Sequence, residues 1–264
     1  MNYLYSKPKH LLIGKLLNVT NMKNILARLW ALWGIIIFIP TMLIVVWPIL
    51  FTFLIAEPTG TEIFRRISKL WMQFFLTLIG CNLKVIGKAH FKKGEVYIIV
   101  SNHNSLMDIP LTTPFIPNAN KTIAKTSFAN IPFFGWIYRR GSILVSRNDV
   151  QSRAKSIEAM KAMLQKGLHI CIYPEGSRNR TAEPLKSFYD GAFKLAIDTQ
   201  KNIIPCLLFN TQKVLPINKF FYLWPHQLEL HFLPPVQTNN HTSVETLKEV
   251  VYNIMRDYYI SHKK

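Results

Sequence analysis

The sequence predicts an α/β fold: a mixed, largely parallel sheet flanked by helices, preceded by an N-terminal membrane-embedded helical hairpin. Three observations carry this. After residue 84, short apolar runs alternate with stretches of helical periodicity, as strands alternate with helices around such a sheet. Before it, the 28 residues Leu29 to Ala56 contain no charged side chain. Over the whole chain, apolar residues make up 49% and charged residues only 17%, below the roughly 25% usual for soluble domains. These divide the 264 residues into an anchoring segment, 1–84, and an α/β domain, 85–264.

The uncharged run is long enough to cross a bilayer, for which about 20 apolar residues suffice. Pro40 and Pro48 interrupt it, each removing a helical donor. A kinked span and a helix that enters one leaflet and returns are both open. Ile67, Leu70, Trp71, Phe74, Phe75, Leu78 and Ile79 recur at helical spacing in a second segment, Ile63 to Leu83, with Arg65, Arg66 and Lys69 at its start and Gly80 and Asn82 as stops. This predicts an interfacial helix antiparallel to the first. The late start and length of the apolar run exclude a cleaved signal peptide. Lys7, Lys9, Lys15, Lys23 and Arg28 precede it without an acidic residue, and positive flanks place that end on the cytoplasmic side.

Strands are predicted at Val96–Val100, Ser142–Val145, His169–Tyr173, Ile203–Phe209 and Leu228–Phe232. A helix over Gln151–Lys166 carries Ile157, Met160, Met163 and Leu164 on one face and stops at Gly167. Thr242, with Glu245 three residues on, reads as a capping box that opens the last helix.

The net charge of +18 attracts anionic lipid surfaces, phosphorylated small molecules or nucleic acid. No zinc-finger spacing, basic zipper or RNA-binding aromatic signature is present, so a nucleic-acid partner is not expected and anionic membrane lipids are. Cys81, Cys171 and Cys206 are too scattered for a disulfide framework or a metal site, and suit a reducing compartment.

The chemistry lies after the first strong strand. Asn102-His103 is followed by Asp108, and strand ends of α/β sheets are where catalytic groups are displayed. His103 is a candidate general base and Asp108 the carboxylate that orients it. On one continuous helix, five residues turn about 500° and hold the two side chains apart, so the chain must turn between them, with a helix beginning near Ser105. Cations recur at later strand ends: Lys125 before Pro132-Phe133-Phe134-Gly135-Trp136, Arg147 closing Gly141 to Arg147, and Arg178 in Tyr173-Pro174-Glu175-Gly176-Ser177-Arg178. Arginine beside a glycine turn grips phosphate bidentately, so Lys125, Arg147 and Arg178 define a candidate anion pocket. Glu175 would clamp Arg178 or accept from the substrate.

In order, these blocks resemble the glycerolipid acyltransferase family, and most closely its 1-acylglycerol-3-phosphate acyltransferases. Asn102-His103 with Asp108 is similar to the first motif, Gly141 to Arg147 to the second, Tyr173 to Arg178 to the third and Ile204-Pro205 to the fourth. Tyr173 stands where phenylalanine is usual, Ser177 where threonine is, and Asp190 where a lysine is often seen. The resemblance implies direct acyl transfer from a thioester, acyl-CoA or acyl carrier protein, to the hydroxyl of a lysophospholipid, with no metal or resident cofactor. It places the enzyme on the cytoplasmic face of a membrane, a bacterial inner membrane being the expected one. Within the family, glycerol 3-phosphate or another lysophospholipid is the alternative acceptor. A non-catalytic basic membrane-binding protein is the alternative of another class; a serine hydrolase is disfavoured because no Gly-x-Ser-x-Gly turn is present.

Overall fold

A computed structural model describes residues 9–146, 149–240 and 243–263, and of residues 9–20, Val150 and Arg153 only the backbone. In chain order the elements are α1 (Lys9–Phe51), α2 (Thr59–Leu78), β1 (Leu83–Ile86), β2 (Ile98–Ser101), α3 (Asp108–Thr112), β3 (Asn120–Lys125), α4 (Phe134–Gly141), β4 (Ser142–Val145), α5 (Val150–Gln165), β5 (His169–Ile172), α6 (Gly191–Thr199), β6 (Ile203–Phe209), α7 (Thr211–Val214), β7 (Leu228–Phe232) and α8 (Val244–His262).

The strands form one seven-stranded sheet in the order β1-β7-β6-β2-β5-β3-β4. Every neighbouring pair is parallel except β6 and β7. The carboxyl ends of β6, β2, β5, β3 and β4 therefore share one edge, with β2 at the centre. Period-two alternation makes the layers. On β6, Ile204, Cys206 and Leu208 face one apolar cluster while Ile203, Leu207 and Phe209 face the other. The first cluster is closed by α1 and α2, the second by α5, α6 and α8. The hairpin thus supplies one wall of the core.

The two prolines do not divide α1, which runs unbroken for 43 residues. At about 1.5 Å per residue that is roughly 64 Å. Next to Pro40, the Thr41 hydroxyl donates to the Ile37 carbonyl at 2.7 Å and accepts from Trp71 Nε1 at 3.0 Å, tying the helices together. Ala27, Ala31, Ile37, Met42, Val46 and Ile49 form the buried stripe, while Leu29, Ile36, Ile44, Trp47 and Phe51 project outward. The antiparallel pairing is fixed by Trp30 and Trp33, whose indole N–H groups donate to the carbonyls of Ile79 and Leu78.

A polar lock fastens the hairpin's turn to the sheet. Arg140, 3% exposed at the end of α4, donates to Glu57 (2.7 Å), to the Thr61 hydroxyl (3.0 Å) and to both the hydroxyl and the carbonyl of Thr52. Lys121 of β3 joins Glu57 at 3.1 Å. Burial pushes the Glu57 carboxyl up, but hydrogen bonds from Arg140 and Thr61 and the charge of Lys121 outweigh it and hold it at about 2.

Several expected boundaries change, most of all those of the second helix. The second helix starts at Thr59 and stops at Leu78, because Gly80 adopts φ +68° and turns the chain into β1. The last helix is capped by Ser243, whose hydroxyl accepts from Thr246 N–H; Thr242 lies outside the described residues. β1 and β3 were not expected, and β3 shows why: its inward positions are Asn120, Thr122 and Ala124, polar or small letters that break the apolar pattern. The Thr122 hydroxyl donates to the Cys171 carbonyl and the Asn120 side-chain NH₂ to that of Thr113.

Candidate active site

β2 ends at the middle of the shared carboxyl edge, and the chain there must leave the sheet. Asn102 marks the exit. Its side chain accepts from Leu208 N–H at 2.8 Å and donates to the Leu208 carbonyl at 3.0 Å, bonding the loop to β6 as another strand residue would. His103 is thereby displayed at the edge. The chain then turns through Leu106-Met107 and α3 opens at Asp108 itself rather than near Ser105.

That turn brings the two side chains together. His103 Nδ1 lies 2.8 Å from Asp108 Oδ2, and Asp108 is fully buried. The same oxygen accepts from the N–H groups of Asn104 and Ser105. A carboxylate accepting three donors fixes the tautomer: Nδ1 carries the proton and Nε2 is left as the base. Ser105 braces the turn, donating its hydroxyl to the Leu215 carbonyl at 2.7 Å.

Glu175 has a task the sequence did not disclose. It is 1% exposed, and its carboxylate accepts from His103 N–H at 2.8 Å and from Lys186 N–H at 3.1 Å. Among the described residues it makes no ion pair with Arg178, so the expected clamp is not formed. Burial raises its pKa above the usual carboxylate range, and the two backbone amides pull it part of the way back. Gly176 makes this loop possible. Its φ of +67° suits glycine, and a Cβ there would lie 2.7 Å from the Tyr189 ring. The backbone returns the contact, Asn179 N–H donating to the His103 carbonyl at 2.6 Å. Tyr173 supplies the floor. Its ring stacks on His103 at 4.4 Å between centroids, and its hydroxyl bonds Thr112 at 2.7 Å.

Of the candidate cations, Arg178 is half-buried one residue before that backbone contact. Lys125 is exposed at the carboxyl end of β3, two strands from β2 and so about 10 Å along the same edge. Arg147 lies outside the described residues. Asp190, the departure from the family pattern, pairs with Lys248 of α8 at 2.5 Å. Cys171 and Cys206 are fully buried in the strands either side of β2. Burial pushes the Cys171 thiol up to about 12, so neither sulfur serves as the nucleophile.

Fold and site together are those of an acyltransferase domain. Residues 82–208, which contain the histidine, its carboxylate and the loop holding both, match the Acyltransferase family. A 1-acyl-sn-glycerol-3-phosphate acyltransferase of Borreliella burgdorferi is 30% identical over 192 residues, 70% of this chain and 73% of that one. One of Helicobacter pylori is 34% identical over 150 residues, 56% of this chain and 62% of that one. The chain belongs to the 1-acyl-sn-glycerol-3-phosphate acyltransferase family. It spans about three fifths of the length of several curated relatives. The crystal structure of the Thermotoga maritima 1-acyl-sn-glycerophosphate acyltransferase shares the fold, with a TM-score of 0.76 at 22% identity over 91% of this chain and 98% of that one.

Proposed function

We propose that this protein transfers a fatty acyl group from an acyl thioester to the sn-2 hydroxyl of 1-acylglycerol 3-phosphate, giving phosphatidic acid for phospholipid synthesis. The observation that carries the reading is the 2.8 Å contact between His103 and Asp108 at the end of the central strand. Nε2 of His103 takes the hydroxyl proton as the oxygen attacks the thioester carbon. Asp108 stabilises the imidazolium, and the carbon–sulfur bond breaks as the thiolate leaves and recovers that proton. Base assistance of this kind is worth about 10²–10⁴-fold. Glu175 holds the backbone from which the imidazole projects. Arg178 and Lys125 grip the acceptor's phosphate on the β5 side, with Arg147 assigned to the same anion from the sequence alone.

The enzyme works at a membrane, with α1 along one leaflet rather than across the bilayer. The α/β domain touches α1 part of the way along and again just past its carboxyl end: Lys219 bonds Asn24 and Leu223 N–H bonds the Ala27 carbonyl, while Arg140 bonds Thr52. From residue 24 to 52 the helix covers about 42 Å. A perpendicular span of the roughly 30 Å hydrocarbon layer would draw the polar domain into the lipid. The positive residues before the uncharged run, from Lys7 to Arg28, support the cytoplasmic face.

The test is acyl transfer by the purified protein in anionic vesicles, with lysophosphatidate or glycerol 3-phosphate as acceptor and acyl-CoA or acyl carrier protein as donor. Phosphatidic acid should form, and His103→Ala should abolish its formation while vesicle binding persists. Preference for glycerol 3-phosphate would replace the acceptor; undiminished turnover in the variant would refute the base.

A further inference from the structure

The sheet order gives β2 different surroundings on its two flanks. On the β5 side lie the Tyr173–Arg178 loop and, beyond it, Lys125. On the β6 side the edge opens into a narrow pocket of about 80 Å³ between α7 and the last turn of α8. Its inner wall includes Asn104, Phe209 and Thr211, which are 4%, 5% and 1% exposed. Its rim carries the exposed cations Lys213 and Lys263 and the exposed His262. Asn104 directly follows His103, so the pocket's inner wall begins one residue from the proposed base.

Two features mark it as a binding site. The Thr211 hydroxyl is buried on the wall and has no hydrogen-bond partner among the described residues. A buried hydroxyl left unsatisfied is destabilising, and a polar ligand that reached it would recover that loss. The lining is also electrostatically one-sided. Lys213 and Lys263 outnumber its single carboxylate, Glu229, which bonds His231 Nε2 at 2.8 Å.

We propose that this pocket admits the 4′-phosphopantetheine arm of the acyl donor. The inference rests on the acyl-transfer reading, in which two anionic substrates must reach His103 together. With the acceptor's phosphate gripped on the β5 side, the donor approaches across β6. Its thioester points toward His103, its amides run along the wall that Thr211 lines, and its phosphate lies against Lys213 and Lys263. That arm is common to coenzyme A thioesters and to phosphopantetheinylated carrier proteins, so one pocket serves both.

The test uses the full chain in anionic vesicles, with the double variant Lys213→Gln/Lys263→Gln and the single variant Thr211→Val. The exposed lysines keep the experiment informative if the buried substitution impairs folding. KM for acyl-CoA and for acyl carrier protein should rise about five- to tenfold in the double variant, the loss of roughly one charge-assisted contact, while KM for lysophosphatidate stays within about twofold. Binding of coenzyme A alone, measured by calorimetry, should weaken by the same factor. A rise in the acceptor's KM instead, or no change in either, overturns the assignment. An effect confined to acyl-CoA overturns the shared arm in favour of the nucleotide phosphates. Coenzyme A binding is read without turnover. A wild-type protein that binds it, loses it in the variants, yet makes no phosphatidic acid would keep the pocket and lose the function.

Discussion

His103 is held from both ends of its own residue. Its side chain meets Asp108, and its backbone N–H and carbonyl are bonded by Glu175 and Asn179. An imidazole fixed in this way presents Nε2 without reorganisation when a hydroxyl arrives, which is where a positioned base gains its rate. Glu175 is therefore a positioning residue. In Glu175→Gln the side chain keeps its size, but an amide NH₂ must face a backbone N–H. The loss of one charge-assisted hydrogen bond, about 1.5 kcal/mol, should lower kcat roughly tenfold and leave the lysolipid KM nearly unchanged. Steady-state kinetics decide it, and a raised KM with intact kcat would return Glu175 to the substrate pocket. The His103–Asp108 pair was legible in the sequence because five residues and a turn suffice to form it. The Glu175 contact was not, since its partners are 72 and 11 residues away and the bonds run to backbone, which no side-chain pattern announces. Tyr173 was visible only as a variant letter in a motif, though its ring lies against the His103 imidazole.

At the scale of elements, the hairpin is joined to the sheet by apolar packing along its length and by the Arg140–Glu57–Lys121 lock at its turn. A buried charge stripped of its partner costs about 3–5 kcal/mol, whereas removing both partners costs less. Arg140→Met should thus destabilise the protein by that order, and adding Glu57→Gln should restore part of the loss. Thermal unfolding of the three variants in detergent tests this; losses that simply add would show that the residues act independently. The sequence reading found the apolar run, the second helix and the strands with apolar inward faces. β3 stayed hidden because its inward positions are polar or small, and β1 because it is four residues long, includes Lys84 and begins inside the segment expected to be the second helix. Pro40 and Pro48 argued for a break that α1 does not make. A proline removes one hydrogen bond, and here α2 packs along the neighbouring turns and bonds Thr41 beside the first proline.

At the scale of the whole molecule, the parallel strands turn their carboxyl ends to one edge and place the central one at the reaction centre. The hairpin covers one face of the sheet and leaves its own outer surface apolar, with Leu29, Ile36, Ile44, Trp47 and Leu70 between 54% and 70% exposed. In the proposed flat placement, this surface would occupy space among the acyl chains of one monolayer and none in the other. Such a wedge strains a planar membrane and relieves packing defects in one that bulges toward the protein. The enzyme should therefore partition more strongly onto small vesicles than onto large ones of equal lipid area and composition, and its turnover per added protein should follow. Cosedimentation across a series of vesicle diameters would measure the preference, and indifference to diameter would mean that the hairpin does not lodge in a single monolayer. With the proposed activity, a wedge of this kind would also couple output to shape: where new phospholipid distends one side of a bilayer, the surface there would become a better seat for the protein.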